Sequence, residues 1–326
     1  MNEYNIYMED HYKYKVLVSC LTYNHSAYIK DALEGFCMQK TNFPFVCIII
    51  DDASTDGEQG VLLDYLKNNF ELGENSIARS EETDDYVETY ARHKTNESCY
   101  FVVLLLKKNH YSIGKTKRRY FEKWQRYAKY IATCEGDDYW TSPLKLQKQY
   151  DYMESHSGFS LCFHPDYRLY SDGTKIEHRP RISKDIYSTK DVVLLDGGLM
   201  ATGSMLFRSV DLVYGEERPK FWTNAPVGDE PLRLYLSTKG HIGYINEIMS
   251  VYRMASIGSW TSKNLSLRFW TKHIKGMNKM YTEFDIFTKH HFHYYILIAK
   301  CILGIKYVKG VWEAVLNKFC IYSHEK

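Results

Sequence analysis

The chain has 326 residues, of which 44% are hydrophobic and 25% charged, and its formal net charge is +2. This balance is that of an ordinary globular protein, and it gives no overall electrostatic case for nucleic-acid binding. The length is sufficient to bury a substantial core without disulfides or a structural metal. The eight cysteines form no Cys-x-x-Cys pair, and most lie in apolar runs as small buried side chains, which favours a reducing cytoplasm.

The two ends of the chain predict neither a signal peptide nor a membrane span. The amino terminus reads Met1-Asn2-Glu3-Tyr4, without a basic region followed by an apolar core. The longest late apolar run covers residues 294–305, contains Lys300 and is too short to cross a bilayer. We therefore expect a cytoplasmic protein.

The first half of the chain alternates short apolar runs with amphipathic segments. The predicted strands cover residues 16–21, 45–50, 100–106 and 130–134. The predicted helices cover about 27–36 (with Ser26 as its cap), 58–69, 120–129 and 143–154. Short apolar strands separated by helices predict parallel strands that are covered on both faces.

After about residue 160 the pattern changes to strand-like pieces between polar loops, such as 159–164 and 203–208. An amphipathic helix is predicted to begin at Gly228-Asp229, and helices rich in aromatic and basic residues follow from about Leu265. We expect one catalytic domain over residues 1–262 and a helical C-terminal extension over residues 263–326.

Three carboxylates follow the predicted strand 130–134 within four positions: Glu135, Asp137 and Asp138. Crowded like charges repel one another unless a cation lies among them, and a hard divalent cation takes oxygen ligands and bridges to phosphates. Residues two apart in an extended backbone point to the same side, so Glu135 and Asp137 are expected to face one ligand while Asp138 supports the turn. The alternative is an acidic loop that only caps the following helix.

Polar residues follow four of the predicted strands. They are Thr22-Tyr23-Asn24, Asp51-Asp52, Asn109 and the acidic turn from Glu135 to Asp138. The carboxyl ends of parallel strands line the crevice in which an open α/β sheet binds its ligands. The convergence of these four ends favours a ligand site over a set of unrelated turns.

These motifs carry a family resemblance. Cys20-Leu21-Thr22-Tyr23-Asn24, Ile50-Asp51-Asp52-Ala53-Ser54-Thr55-Asp56-Gly57 and Glu135-Gly136-Asp137-Asp138-Tyr139-Trp140 occur in that order, with further matches at 144–149, 228–229 and 251–253. The set, spread over residues 15–260, resembles the family 2 glycosyltransferases, and bacterial members that build surface polysaccharides such as capsule in particular. The resemblance implies an α/β GT-A fold (Rossmann-like, with a mostly parallel sheet flanked by helices) and inverting transfer of a sugar from a nucleotide-sugar, with a UDP-sugar as the expected donor.

The resemblance also implies roles for individual residues. Binding of the nucleotide-sugar falls to Thr22, Tyr23, Asn24, Asp51, Glu135, Asp137 and Arg253. Asp51 would accept a hydrogen bond from the uracil ring, because a carboxylate is an acceptor only, and Glu135 would lie near the ribose. Asp137 and Asp138, in the position of the DXD metal motif, would hold Mn²⁺ or Mg²⁺, and which of the two is the direct ligand stays open. For Thr22 to Asn24 the alternative is a plain turn between strand and helix.

Asp229 resembles the catalytic base that takes a proton from the acceptor hydroxyl, and Arg253 resembles an arginine that contacts phosphate. The alternative for Asp229 is that it or Glu230 only caps the helix, and the alternative for Arg253 is an ordinary surface ion pair. Many family members carry a histidine shortly after that arginine, whereas this chain reads Met254-Ala255-Ser256-Ile257-Gly258-Ser259-Trp260. The third protein ligand of the metal is therefore open, with water or Ser259 in its place.

Two features bear on the acceptor, which the resemblance gives as a glycan or lipid-linked glycan. Residues 107–129 are strongly basic, and they suit donor phosphates, a lipid-linked pyrophosphate or an anionic membrane, or else a solvated face balanced by the acidic run 81–85. The aromatic and basic tail suits peripheral contact with the inner face of the cell membrane, or packing on its own domain. A catalytically inactive nucleotide-sugar-binding subunit is the alternative function, and the missing histidine is its support.

Overall fold

The computed structural model of the protein describes residues 12–195, 198–212, 218–254 and 267–323. The strands are β1 Tyr14–Thr22, β2 Phe45–Asp51, β3 Arg79–Glu82, β4 Tyr86–Arg92, β5 Cys99–Leu106, β6 Ala128–Thr133, β7 Tyr139–Trp140, β8 Phe159–Phe163, β9 Asp166–Leu169, β10 Lys175–His178, β11 Ile186–Tyr187, β12 Leu206–Arg208, β13 His241–Tyr244 and β14 Ser250–Arg253. The helices are α1 Ile29–Cys37, α2 Glu58–Asn69, α3 Arg118–Gln125, α4 Lys145–Ser155, α5 Thr189–Leu195, α6 Lys220–Thr223, α7 Asp229–Ser237, α8 Leu267–Phe287 and α9 His293–Ser323.

The centre of the fold is a run of four parallel strands in the order β6-β1-β2-β5, as the apolar runs predict. Every residue of β2 is buried, because helices and loops cover both faces of the sheet. The alternating residues of β1 and β2 enter two separate hydrophobic clusters, one on each face. The predicted α/β architecture, with a C-terminal helical segment, is confirmed.

Among the outer strands of the ten-stranded sheet, β8 and β12 lie within the strand-like pieces predicted at 159–164 and 203–208, whereas the sequence pattern does not predict β3, β4, β11 and β13. On one side β4 and β3 extend the sheet as an antiparallel hairpin, and on the other side β12 joins β6 to β8, followed by β13 and β11. β3 is exposed along its whole length and carries Glu81 and Glu82, so it lacks the apolar alternation that identifies a strand. A smaller sheet in the order β10-β9-β14-β7 lies beside the acidic turn.

Some predicted helix boundaries are wrong. Ser26 does not cap the first helix: α1 begins at Ile29, and the Ser26 backbone N–H donates to Asp56 Oδ2, 2.9 Å away in another loop. α4 begins at Lys145, two residues after the predicted start. The helix predicted over 120–129 is α3, which ends at Gln125 because the chain must turn to enter β6 at Ala128.

The C-terminal helices pack on the domain rather than standing apart from it. Buried side chains of α8 and α9 belong to the same hydrophobic cluster as α7 and the sheet; they are Met277, Met280, Tyr281, Phe284, Ile296, Ala299 and Leu303. The Phe284 ring also packs on Phe221 of α6, with centroids 5.1 Å apart. α9 exposes apolar side chains on its other face, namely Tyr294, Leu297, Ile305 and Val308. In the part of the chain that is described, no helix combines the length and the apolarity that crossing a membrane requires.

Candidate active site

The polar strand ends meet at one edge of the central sheet. Thr22 is paired with Asp51 in the register of β1 and β2. The backbone N–H of Gly136 donates to the Leu21 carbonyl at 2.9 Å, which fixes the acidic turn against the end of β1. The side chain of Asn109 donates to the Asp52 carbonyl at 2.9 Å. The sheet register thus brings together the four segments that the sequence predicts to converge.

Glu135, Asp137 and Asp138 form a compact acidic cluster, in which one carboxylate oxygen from each lies within 4.8 Å of the others. Glu135 opens into a cavity but is surrounded by protein, and burial, then the neighbouring charges of Asp137 and Asp229, raise its pKa to about 8. Burial, then the neighbouring charges of Asp137 and Glu135, raise the pKa of Asp138 well above its usual range. Such a cluster is costly without a cation, and its oxygen donors are those that Mg²⁺ and Mn²⁺ prefer.

Asp138 and Arg253 hold the turn in place. The Asp138 side chain is 1% exposed, and its Oδ1 accepts the Arg253 backbone N–H at 2.9 Å. The Arg253 guanidinium donates to the Asp137 carbonyl at 2.7 Å, pairs with Asp31, and lies over the ring of Tyr139 at 4.7 Å. Asp138 has the surroundings of a supporting residue, while the phosphate contact of Arg253 stays a prediction.

The loop after β1 is fixed by the loop after β2. Asn24 has a positive φ of 57°, which asparagine tolerates better than most residues, and its Oδ1 accepts the Thr55 backbone N–H at 2.8 Å. Thr22 is buried and donates its hydroxyl proton to Glu58 of α2. Tyr23 is 37% exposed, so its ring is accessible beside the strand ends.

Asp51 is fully buried at the end of β2. Its Oδ1 accepts hydrogen bonds from the Ser54 backbone N–H and the Gln59 side chain. Its Oδ2 is buried and has no partner among the described residues. Burial raises the pKa of this carboxyl above its usual value. A buried acceptor without a partner is costly, and a donor group on a ligand would satisfy it.

Asp229 is the first residue of α7, and its carboxylate is more exposed than that of its neighbour. The Asp229 side chain is 39% exposed, whereas Glu230 is 2% exposed and lies 2.7 Å from the buried guanidinium of Arg233. The same guanidinium approaches Asp229 at 3.0 Å and donates to the Met200 carbonyl at 2.8 Å. Arg233 therefore orients both carboxylates, but only Asp229 is open enough to meet a substrate.

A cavity of about 1000 Å³ lies between the sheet edge, α7 and the C-terminal helices. Glu135 and Asp229 both line it, as do Arg168, Arg218 and Tyr252. The residues that α8 and α9 contribute are Trp270, His273, Ile274, Met277, Leu303, Lys306, Tyr307 and Lys309. The described residues predicted to bind the nucleotide, apart from Glu135, lie outside its lining. The cavity is thus on the Asp229 side of the acidic cluster, away from Asp51.

Comparison with known proteins identifies the architecture. The structure of residues 1–349 of TarS from S. aureus, in complex with UDP-GlcNAc, superposes with a TM-score of 0.52 at 15% identity and covers 82% of this chain and 66% of that chain. The mannosyltransferase PcManGT from Pyrobaculum calidifontis, in complex with GDP-Man and Mn²⁺, superposes with a TM-score of 0.54 at 11% identity over 94% and 74% of the two chains. This chain has the GT-A glycosyltransferase fold.

Sequence comparison adds relatives without a known function. No family model matches the chain. Uncharacterized proteins from Mycobacterium tuberculosis and Mycobacterium bovis are 30% identical over 262 residues, which is 79% of this chain. This chain spans 64% of the length of those relatives. The GT-A fold is shared with the solved structures.

In this GT-A chain the basic segment 107–129 is largely balanced by acidic residues of the β3–β4 hairpin. Lys107 pairs with Glu82 at 2.7 Å, and Arg119 pairs with Asp85 at 2.6 Å. Lys117 is different, since its ammonium reaches the buried carboxylate of Asp52 at 2.6 Å, next to the strand ends. Most of the segment therefore fits the alternative of a solvated face whose charge is balanced by acidic residues.

Sequence reasoning missed two groups at the site. Tyr252 precedes Arg253 and lines the cavity, and burial with the nearby carboxylates raises the pKa of its hydroxyl. His25 follows the nucleotide loop, and its Nε2 lies 3.9 Å from Asp137 Oδ2. The sequence signal that could identify His25 is its position directly after the nucleotide loop. Ser259, the candidate third ligand, lies outside the described residues.

The close contact between Gly136 and β1 gives a testable prediction. A Cβ on Gly136 would lie 2.2 Å from Thr22 Oγ1 and 2.6 Å from Thr22 Cβ, closer than packed atoms allow. We expect Gly136→Ala to destabilise the fold by about 1–3 kcal/mol, because overpacking displaces the acidic turn, and to lower the Tm by several degrees. Gly60→Ala is the matched control, since its Cβ meets nothing within 4 Å. Equal melting temperatures for the two variants would contradict the packing described.

Proposed function

We propose that the protein is a metal-dependent inverting glycosyltransferase. It would transfer a sugar from a nucleotide-sugar, with a UDP-sugar as the expected donor, to a glycan or lipid-linked glycan acceptor. The observation that carries the proposal is the arrangement around Glu135, which has the nucleotide-loop residues and Asp51 on one side and the cavity with Asp229 on the other. We assign the donor half of the site to the first side and the acceptor half to the second.

The donor half offers recognition of a nucleoside diphosphate. Asp51 Oδ2 is a buried acceptor suited to the ring N–H of uracil, and the exposed Tyr23 follows Thr22, which is paired with Asp51 in the sheet. Thr22 and Asn24 hold the loop shape, and Glu135 would accept from the ribose hydroxyls. Arg253 would exchange part of its contact with Asp31 for a phosphate oxygen.

The acceptor half offers general-base chemistry. Asp229 would take the proton from an acceptor hydroxyl, whose oxygen then forms a bond to the anomeric carbon as the bond from that carbon to the diphosphate oxygen breaks. Because the attack comes from the face opposite the leaving group, the anomeric configuration inverts. Arg233 keeps the Asp229 carboxylate oriented toward the cavity, and Glu230, which is buried, stabilises Arg233.

The acidic cluster fits a divalent cation, because it brings one carboxylate oxygen from each of three residues within 4.8 Å of the others. Asp137 would be a direct ligand of Mn²⁺ or Mg²⁺, and Asp138 would support the turn or add a second oxygen. When bound, such an ion stabilises the negative charge of the departing nucleoside diphosphate. The Mn²⁺ in the related mannosyltransferase structure supports this part of the proposal.

The cavity supports an acceptor site with room for more than one sugar. Its volume is at the upper end of the range typical of small-molecule sites. The C-terminal extension, which we assign to residues 263–326 beside a catalytic domain over 1–262, contributes a wall with Lys306 and Lys309. The exposed apolar face of α9 and these lysines suit peripheral contact with the inner face of the cell membrane, where a lipid-linked acceptor for surface polysaccharide synthesis would be carried.

Titration calorimetry with UDP, with and without Mn²⁺, tests the donor half. We expect UDP to bind in both conditions and at least tenfold more tightly with Mn²⁺, because the ion bridges the carboxylates and the diphosphate. CDP and ADP serve as controls, since they keep the diphosphate and Asp51 is expected to disfavour bases without a matching ring N–H. Undetectable UDP binding in both conditions would overturn the proposal.

A further inference from the structure

His25 lies beside the acidic cluster. Its Nε2 is 3.9 Å from Asp137 Oδ2, and the two side chains are 11% and 10% exposed. This separation is too long for a hydrogen bond. The imidazole and the carboxylate therefore face each other without a direct bond between these atoms.

The surrounding hydrogen bonds determine which ring nitrogen carries the proton. Thr22 Oγ1 donates to Glu58, so its single proton is already used. Thr22 Oγ1 also lies 3.2 Å from His25 Nδ1, and it can only accept there. In the neutral imidazole Nδ1 is then the protonated nitrogen, and Nε2 presents its lone pair to Asp137.

The backbone fixes the ring as well. The His25 N–H donates to Glu58 Oε2 at 2.9 Å, and the preceding Asn24 is held at positive φ by its contacts with the loop after β2. A ring nitrogen held by a hydrogen bond on one side and free to coordinate on the other is the usual arrangement of a histidine that binds a metal.

We propose that His25 Nε2 is a protein ligand of the divalent cation, together with Asp137. The inference rests on the proposed function, because it concerns the same metal site. Two atoms that each lie about 2.0–2.2 Å from one ion are separated by no more than about 4.4 Å, and 3.9 Å falls within this limit. Lone pairs on Nε2 and Asp137 Oδ2 repel each other until a cation or a proton lies between them.

This assignment supplies a nitrogen ligand in a chain that lacks the histidine expected after Arg253. An imidazole nitrogen suits transition metals better than Mg²⁺, which prefers oxygen donors. The site is therefore expected to favour Mn²⁺ over Mg²⁺, and His25 is the residue that determines this preference.

Pulsed electron paramagnetic resonance of bound Mn²⁺ tests the assignment directly. The 326-residue chain loaded with one equivalent of Mn²⁺, without nucleotide, is expected to show a ¹⁴N coupling that changes when the histidines are labelled with ¹⁵N. His25→Ala is expected to lose this coupling and to raise the Kd for Mn²⁺ about tenfold or more, while the Kd for Mg²⁺ changes less than threefold. His291→Ala, in the exposed turn before α9, is the control and should leave coupling and affinity unchanged.

His25→Gln is the second variant, because it keeps a polar group beside Thr22 without an imidazole. It should lose the coupling at an unchanged melting temperature, so the loss is not ascribed to unfolding. Bound Mn²⁺ without nitrogen coupling in the wild type, or unchanged Mn²⁺ affinity in a folded His25→Ala, would overturn this inference and leave the proposed function standing. Absence of any bound Mn²⁺ would overturn both this inference and the metal dependence of the proposed function.

Discussion

Asp229→Asn is expected to lower kcat for sugar transfer by about 10²- to 10⁴-fold while the Kd for UDP changes less than twofold. Asparagine has nearly the same shape and still offers an oxygen to Arg233 at the start of α7, but it cannot take a proton from the acceptor. The Asp229 side chain lies on the cavity side of the acidic cluster, so the donor half of the site should be unaffected. Turnover of a nucleotide-sugar with acceptor, and calorimetry with UDP, measure the two quantities.

Glu230→Gln is the matched control for this prediction. Glu230 is adjacent in sequence, but it is buried against Arg233 and hydrogen-bonds to it at 2.7 Å. Removing its charge leaves the guanidinium in a buried, weakened pair, so we expect a lower Tm and a smaller loss of kcat than in Asp229→Asn. If Glu230→Gln abolished turnover at an unchanged Tm while Asp229→Asn kept it, the base would be Glu230.

Asp137→Asn is expected to weaken Mn²⁺-dependent binding of UDP by about 100-fold, because it removes a charged ligand from the proposed metal site. The same change should preserve or raise the Tm of the metal-free protein at pH 8. Asp137 contributes to a pKa of about 8 at Glu135, well above the ordinary value of a glutamate, so the fold loses stability as the pH rises from about 4.5 to 8. Removing the Asp137 charge relieves this repulsion. Calorimetry and thermal unfolding in EDTA measure the two effects.

One control outside the acidic cluster and one further variant within it separate the roles of Asp137 and Asp138. Asp172→Asn, in an exposed turn between β9 and β10, controls for the loss of one negative charge and should leave UDP binding unchanged. Asp138→Asn should weaken Mn²⁺ binding less than tenfold, because Asp138 is buried and its Oδ1 already accepts a hydrogen bond from the Arg253 backbone N–H. A larger effect at Asp138 than at Asp137 would exchange the direct and supporting roles.

The sequence was most informative where local pattern and chemistry agree. The apolar runs at β1, β2 and β5 have no polar interruption, since both faces of those strands are buried, and their boundaries were predicted to within two residues. The polar groups at the ends of these strands identified the edge of the sheet that carries the candidate site, because parallel strands place their carboxyl ends together.

The sequence was least informative where long-range contacts decide the structure. The β3–β4 hairpin has a polar, exposed first strand, and pairing with β5 stabilises it. Serine is a residue type that often caps helices, yet Ser26 does not cap α1, and its backbone N–H donates to Asp56 in a distant loop. Local propensity is a weak constraint in both places, and tertiary contacts override it.

Short segments of the sequence are enough to predict an α/β sheet with acidic and polar residues at one edge, because the apolar runs of the strands and the polar residues that follow them are local features. Which side chains of those segments face one another depends on how the whole elements pack. Three features join distant or differently oriented parts of the chain. They are the approach of His25 to Asp137, the pairing of Arg233 with both Asp229 and Glu230, and the cavity wall formed by α8 and α9. Such contacts depend on the packing of whole elements, which no local pattern of residues specifies.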